Sequence, residues 1–411
     1  MVREEPDKSS SPFVLKGFTF FVYGAMVLFA TYFPLYLQDR GLNKLEIGLL
    51  LAFGPLVSIF ANPFWGLSSD RYPHVRRIVL MMLTGTLLFA ELAFGAHTYE
   101  TLYTAMLLFY FCQTPLLAQT HTLTLSYISD TGRPFGSFRL WGSVGWALTA
   151  LLAGPVLERA GISSLAFLFA ALLGAAMLSL AALPPLSRGS GGFAVAPNPF
   201  RGIGRVIRNP YFLSFLIFGL LVSIPNTMNT TFLSLYITDM GGSRSIVGLA
   251  VFLSAFLEIG VLKLCERYLR RSVPALLGWL ALVSLLFVFR WWLTAQATTP
   301  REVALIQIMH STTFGGFFYV GAQLTRLLLP RPFRSSGHAF FTLGWSGIAG
   351  VAGGVLGGWL FQNFGAQNMY EFGGFLTLIG AVGFGVMWFF VFQSGYAPGS
   401  HNGEHGGSGG Q

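Results

Sequence analysis

The sequence predicts an all-α membrane protein of twelve transmembrane helices, arranged as two six-helix bundles related by a parallel repeat. Three observations carry this expectation. The chain of 411 residues is 53% hydrophobic, 16% aromatic and only 10% charged, whereas a water-facing surface needs about a quarter of its residues charged. Its apolar residues fall in twelve long runs without the two-residue alternation of a barrel strand, and each run approaches the ~20 residues that cross a bilayer core as a helix. Finally, a set of polar motifs in the first half recurs in the second at a spacing near 200 residues.

The runs lie at 13–37, 45–66, 77–96, 101–126, 138–157 and 163–185, then at 210–237, 245–264, 273–294, 302–328, 336–361 and 371–393. The longest interruption, 186–209, holds Ser, Gly, Pro and four arginines, and it reads as a linker between an N-terminal bundle (1–185) and a C-terminal bundle (210–393). Residues 394–411 are rich in Gly, Ser and His and are expected to be a disordered tail. The opening MVREEPDKSSSP is mixed in charge and no small-residue cleavage site follows the first run, so a cleaved leader is not expected.

Orientation follows from the Lys and Arg distribution, because translocated loops are depleted of both. With the N-terminus inside, nineteen fall on the inner side, while the outer loops carry five: Arg40, Lys44, Arg159, Arg244 and Arg301. Both termini are therefore expected in the cytoplasm, with the chain a multi-pass protein of a prokaryotic plasma (inner) membrane. The formal charge of +9 is then a matter of topology. Dispersed over short loops, it makes no stripe for nucleic acid. Cys112 and Cys265 lie in or at the end of apolar runs, which supports neither a disulfide framework nor a metal site.

The loop GLSSDRYPHVRR, Gly66 to Arg77, is the densest polar signal. Gly66 lets helix ends approach closely, Asp70 can face the positive N-terminus of a neighbouring helix, and Arg71, Arg76 and Arg77 hold the loop on the inner side. A weaker copy follows the eighth run: Glu266, Arg267 and Tyr268, then Arg270 and Arg271. Further repeats are Tyr36, Asp39, Gly41 and Gly48 with Tyr236, Asp239, Gly241 and Gly248; Arg133, Pro134, Phe135 and Ser137 with Arg331, Pro332, Phe333 and Ser335; and Gly145-Trp146 with Gly344-Trp345. Six-helix halves repeated in parallel suit a protein that rocks two bundles about a midplane site.

With these motifs the chain resembles the major facilitator superfamily over nearly its whole length. The stretches ATYFPLYL (Ala30 to Leu37), RLWGSVGW (Arg139 to Trp146) and QIMHSTTFG (Gln307 to Gly315) are similar to the lactose permease and phenylpropionate permease branch, itself similar to nucleoside/proton symporters. The resemblance implies a substrate-binding arginine at Arg139, a solute-stacking tryptophan at Trp146, and an arginine and histidine twenty positions apart at Arg290 and His310. It also implies a membrane-embedded glutamate at or near Glu258. Two positions depart from the branch. His121 stands near the place of the glutamate that pairs with the fifth-helix arginine, and Thr313 stands in the place of the proton-carrying glutamate.

The residues themselves support a polar pathway, in which Arg139 and Arg290, from different halves, are expected to clamp an anionic or hydroxyl-rich solute and His121 to contribute to its site. A charge at membrane depth is costly unless it faces a cavity or a partner. Glu258, inside the eighth run, is accordingly the candidate proton carrier, tuned by Arg290 and His310; a fixed structural Glu-Arg pair is the competing reading. His310 and His121 can titrate near neutrality, or each can be hydrogen-bonded core. Asn226 and Asn229 give the seventh run a polar face around Pro225, for solute or for helix-helix hydrogen bonds. Gly142 and Gly145 mark close helix packing, beside which Trp146 could offer a flat face to a ring-bearing solute. Gly66, Asp70, Arg71, Arg76, Arg77, Glu266 and Arg267 form the expected gate.

No catalytic constellation, metal-ligand cluster or phosphate loop is present, so neither an enzyme nor a cofactor is expected. The expected function is secondary active transport of a small organic solute such as a saccharide, nucleoside or aromatic acid, coupled to protons, by a monomer in the lipid bilayer. A proton-driven exporter of amphipathic compounds and a lipid-linked-sugar flippase are the alternatives.

Overall fold

The structure, a computed structural model, describes residues 11–71, 75–129, 133–184 and 209–396. The first ten residues, most of the linker expected at 186–209 and most of the tail from 394 lie outside the described residues, as does the side chain of Asp70. Counting interrupted stretches as one, the described residues form twelve long helices, and all but the eighth are long and apolar enough to cross a membrane.

In the first half these are α1 (Ser11–Asp39), α2 (Lys44–Arg71), α3 (Val75–Phe94), α4 (Tyr99–Gln113 and Leu116–Ile128), α5 (Phe135–Ala160) and α6 (Leu165–Ala182). The interruption of α4 falls at Pro115, which has no N–H to continue the ladder. The second half holds α7 (Pro210–Asp239), α8 (Arg244–Phe256 and Glu258–Tyr268) and α9 (Val273–Gln296). Next, α10 runs from Pro300–Ile306 through Ile308–His310 and the π-helical Ser311–Gly315 to Gly316–Leu328. α11 begins with Arg334–Thr342 and the π-helical Leu343–Ile348, and the continuous Ala349–Ser394 is divided at Gly365, φ 85°, into the rest of α11 and α12. The eighth span was expected as an unbroken run. Its break at Leu257 puts Glu258 at the start of a new helical piece.

The repeat seen in the sequence is a repeat of geometry. Gly41 and Gly241 take φ 90° and 81° at the ends of α1 and α7. The next amide then turns back in each case, Leu42 to the Leu37 carbonyl at 3.1 Å and Gly242 to the Ile237 carbonyl at 2.9 Å. A left-handed residue is what such a helix end requires, and glycine takes it without a Cβ clash.

Within the halves, α1 packs on α5 and α6, and α7 on α11 and α12. Between the halves, α2 packs on α11, α5 on α8 and α1 on α7. The first two of these pairs exchange under the repeat, giving a pseudo-two-fold interface along which any site shared by both halves must lie.

Candidate functional site

The hydrogen bonds and the ion pair that join the two halves among the described residues lie at one end of the bundle, where α1 meets α2 and α7 meets α8. Lys44 Nζ is 2.9 Å from Asp239 Oδ2, and Gln38 Nε2 donates to Asp239 Oδ1 at 3.0 Å. The Lys44 amide donates to Gln362 Oε1 at 3.0 Å, and its repeat partner, the Arg244 amide, donates to Glu158 Oε2 at 2.7 Å. Glycine lets these helices close. A Cβ on Gly48 would overlap the Gly354 carbonyl, and one on Gly248 the Ala150 carbonyl. A Cβ on Gly154 would fall 2.6 Å from the Arg244 carbonyl oxygen, and one on Gly358 2.8 Å from that of Lys44. Four backbone approaches, two from each arm of the pseudo-two-fold, thus seal this end.

Toward the opposite, arginine-rich end, a polar cluster gathers from both halves. The Tyr23 hydroxyl of α1 and His121 Nε2 of α4 share a hydrogen bond of 2.8 Å. The Tyr23 ring lies over Gly142 of α5, where a Cβ would come within 2.9 Å of its carbons, while Phe135 sets its ring edge-on to His121 at 5.4 Å. Arg139, one turn into α5, is exposed, and its guanidinium acts on Tyr23, on His121 and, across the interface, on Glu258. Glu258 is half-buried. The cation whose charge acts on it is Arg139 of the other half, whereas Arg290, which the sequence suggested, bonds to Gln307 and Thr313. The reason is topological, since α5 packs on α8 whereas Arg290 turns into its own half.

Arg290 is fully buried. Its Nη2 donates to Gln307 Oε1 at 2.6 Å and its Nη1 to Thr313 Oγ1 at 3.3 Å, and its guanidinium carbon is 4.5 Å from the Trp291 ring centroid. Asn229 Nδ2 donates to the same Gln307 oxygen at 3.3 Å, and the Tyr370 hydroxyl donates to Asn229 Oδ1 at 3.1 Å. Asn226, one turn earlier on α7, is buried with its Oδ1 unpartnered among the described residues. His310 is half-buried and stacks on Phe314 at 5.0 Å, directly before the π-helical turn of α10. Arg139 and Arg290 thus do not form one clamp.

Trp146 is half-buried and packs against the apolar core. Of the expected gate residues, Gly66, Arg71, Arg76, Arg77, Glu266 and Arg267 take no part in the hydrogen bonds and the ion pair that join the halves among the described residues. Gly66 has no atom near its missing Cβ, and Arg71, Arg77, Glu266 and Arg267 are exposed. Arg76 binds its own half, donating to the Leu183 and Ala181 carbonyls at 2.7 and 2.8 Å. Residues that sequence reasoning passed over are Tyr23, Gln307, Tyr370, Lys44 and Asp239. A tyrosine hydroxyl in the middle of an apolar run was the available signal for Tyr23. Asp239 was marked only as a repeat position and Lys44 only as an outer-loop cation.

The comparisons with known proteins agree on one architecture. The model of the family described as "MFS_1 like family" matches residues 13–372. The chain is similar to a protein named maltose permease from Geobacillus stearothermophilus, 26% identical over 370 residues that cover 88% of this chain and 90% of that one. It is also similar to a protein named "Probable 3-phenylpropionic acid transporter" from Escherichia coli (strain K12), 26% identical over 303 residues that cover 72% and 76% of the two chains. Among solved structures, a point mutant of the nucleoside transporter NupG superposes with a TM-score of 0.76 at 16% identity, covering 94% of this chain and 99% of that one.

Proposed function

The chain belongs to the MFS_1 like family of transporters, and from that premise we propose that it is a proton-coupled symporter of a small organic solute, a saccharide, nucleoside or aromatic acid. One observation carries the reading: the charge of Arg139, on one half, acts on the half-buried Glu258 of the other. A carboxylate there is stabilised by the guanidinium, and it becomes a proton acceptor when the guanidinium is drawn away. A solute that engages Arg139 by forked hydrogen bonds would draw it away. Glu258 then takes a proton and loses its own charge, and the halves can rock past one another. Tyr23 and His121 orient Arg139 from behind, with Trp146, Asn226 and Asn229 further candidates for solute contact and His310 a second titratable group.

In this reading the arginine-rich end faces the cytoplasm with both termini, in the cell membrane, and the protein works as a monomer. The structure is then the conformation sealed toward the outside. Asp70, with Gly66, Arg71, Arg76, Arg77, Glu266 and Arg267, would close the cytoplasmic end in the opposite conformation. The polar, ionisable lining favours a hydrophilic solute over the amphipathic cargo of an exporter. Uptake into vesicles with and without an imposed proton gradient, for one member of each solute class, tests the proposal. Uptake that ignores the gradient for every transported solute would refute proton coupling.

A further inference from the structure

Arg290 is the one charged residue among the buried side chains of the described part of the chain. Its partners are all neutral: Gln307, Thr313 and the face of Trp291. The one ion pair among the described residues, Lys44 with Asp239, is elsewhere.

The neutral partners are already committed. The Thr313 hydroxyl donates to the Met309 carbonyl at 2.8 Å, so toward Arg290 it can only accept. Gln307 Oε1 serves both Arg290 and Asn229, and Gln307 Nε2 is spent on the Val303 carbonyl at 3.2 Å. Two further N–H groups of the same neighbourhood, Arg290 Nε and Trp291 Nε1, are buried without an acceptor among the described residues. Both atoms are donors only. Asn226 Oδ1 and His310 Nδ1 are also buried and unpartnered among the described residues, but neither bonds to these donors and neither carries a negative charge; the acceptor that would also balance the buried cation is an anion.

We propose that the Arg290 network is a binding site for a small, singly charged anionic group, held by Arg290 with the Trp291 indole N–H and backed by Asn229, Gln307 and Tyr370. The group is either a free halide or a carboxylate carried on a small organic molecule; both offer a compact acceptor of one negative charge. The inference goes beyond the transport reading and stands on the second half alone, so it can fail while proton-coupled uptake at Glu258 survives, and the reverse.

The test is thermal unfolding of the purified protein at constant ionic strength, with a bulky sulfonate replaced stepwise by chloride in one arm and by benzoate in the other. At saturation one of the two probes should raise the midpoint by about 5 °C. Thr313→Glu places a fixed carboxylate against Arg290 Nη1 and should abolish that rise. A rise with chloride assigns a halide site, and a rise with benzoate alone assigns a carboxylate subsite. No rise with either probe, or a rise undiminished in Thr313→Glu, overturns the proposal. Should that variant fail to fold, relaxation measured on the wild-type protein decides: saturable line broadening of chloride or of benzoate supports the site, and the absence of both overturns it.

Discussion

Lys44 and Asp239 form the ion pair that ties one half of the molecule to the other, Nζ to Oδ2 at 2.9 Å, with Gln38 sharing the same carboxylate. Each lies in the turn that follows the first helix of its half or directly beside it, so the pair can form only when this end is closed. Partly exposed pairs of this kind contribute roughly 0.2–1 kcal/mol. Asp239→Asn should accordingly shift the balance toward the conformation open at this end by about 1.5- to 5-fold. Labelling rates of a cysteine placed at Gln38 or Gln362 measure the shift. Unchanged rates would mean that the backbone contacts alone hold the seal.

The glycine approaches are expected to matter more than the ion pair. Gly48→Ala puts a methyl group into the Gly354 carbonyl, and Gly248→Ala one into the Ala150 carbonyl. Neither backbone can retreat without parting the helices, so both variants should be held open at the Lys44 end and lose most transport while still reaching the membrane. Gly174→Ala, where a Cβ meets nothing within 4 Å, is the control and should transport normally. Equal activity in all three would show that closure tolerates a separation of about one methyl group.

Tyr23→Phe removes the hydroxyl that His121 shares and leaves the ring over Gly142. A net hydrogen bond is worth about 0.5–1.5 kcal/mol, so solute binding should weaken roughly 2- to 10-fold if Tyr23 and His121 orient Arg139. Equilibrium binding of the transported solute reads this directly. Wild-type affinity would confine Tyr23 to packing.

Arg139→Lys keeps the charge opposite Glu258 and removes the planar fork. Hydrogen bonds between charged groups contribute about 1.5–3 kcal/mol, so binding should fall by roughly 10- to 100-fold. Retained binding would show that a point charge suffices at this position.

The helices were legible in the sequence because a bilayer demands long apolar runs, and the halves because Tyr36 and Tyr236 stand at matched positions. The structure shows why those two recur: each hydroxyl donates to the end of the third helix of its half, to the Phe94 carbonyl at 2.6 Å and the Thr294 carbonyl at 3.1 Å. The candidate site was legible in its residues and not in its pairings. Arg290 and His310 were expected to tune Glu258 as ionisable residues of the same half, yet the cation whose charge acts on Glu258 is on α5, across an interface that no local pattern reveals. The break of α8 at Leu257 was invisible for a related reason, since neither proline nor glycine marks it. Tyr23 was hidden by its apolar neighbours, being chemically distinct by one oxygen atom.

Glu258→Gln measures the proton-coupling proposal most directly. It is nearly isosteric, keeps a hydrogen-bonding group toward Arg139, and cannot change its charge. In vesicles loaded and assayed with the transported solute, the variant is predicted to equilibrate solute down its gradient and to exchange it, while an imposed proton gradient drives no accumulation. Proton-driven accumulation persisting in Glu258→Gln at the wild-type level would contradict the assignment and place the coupling proton on another group.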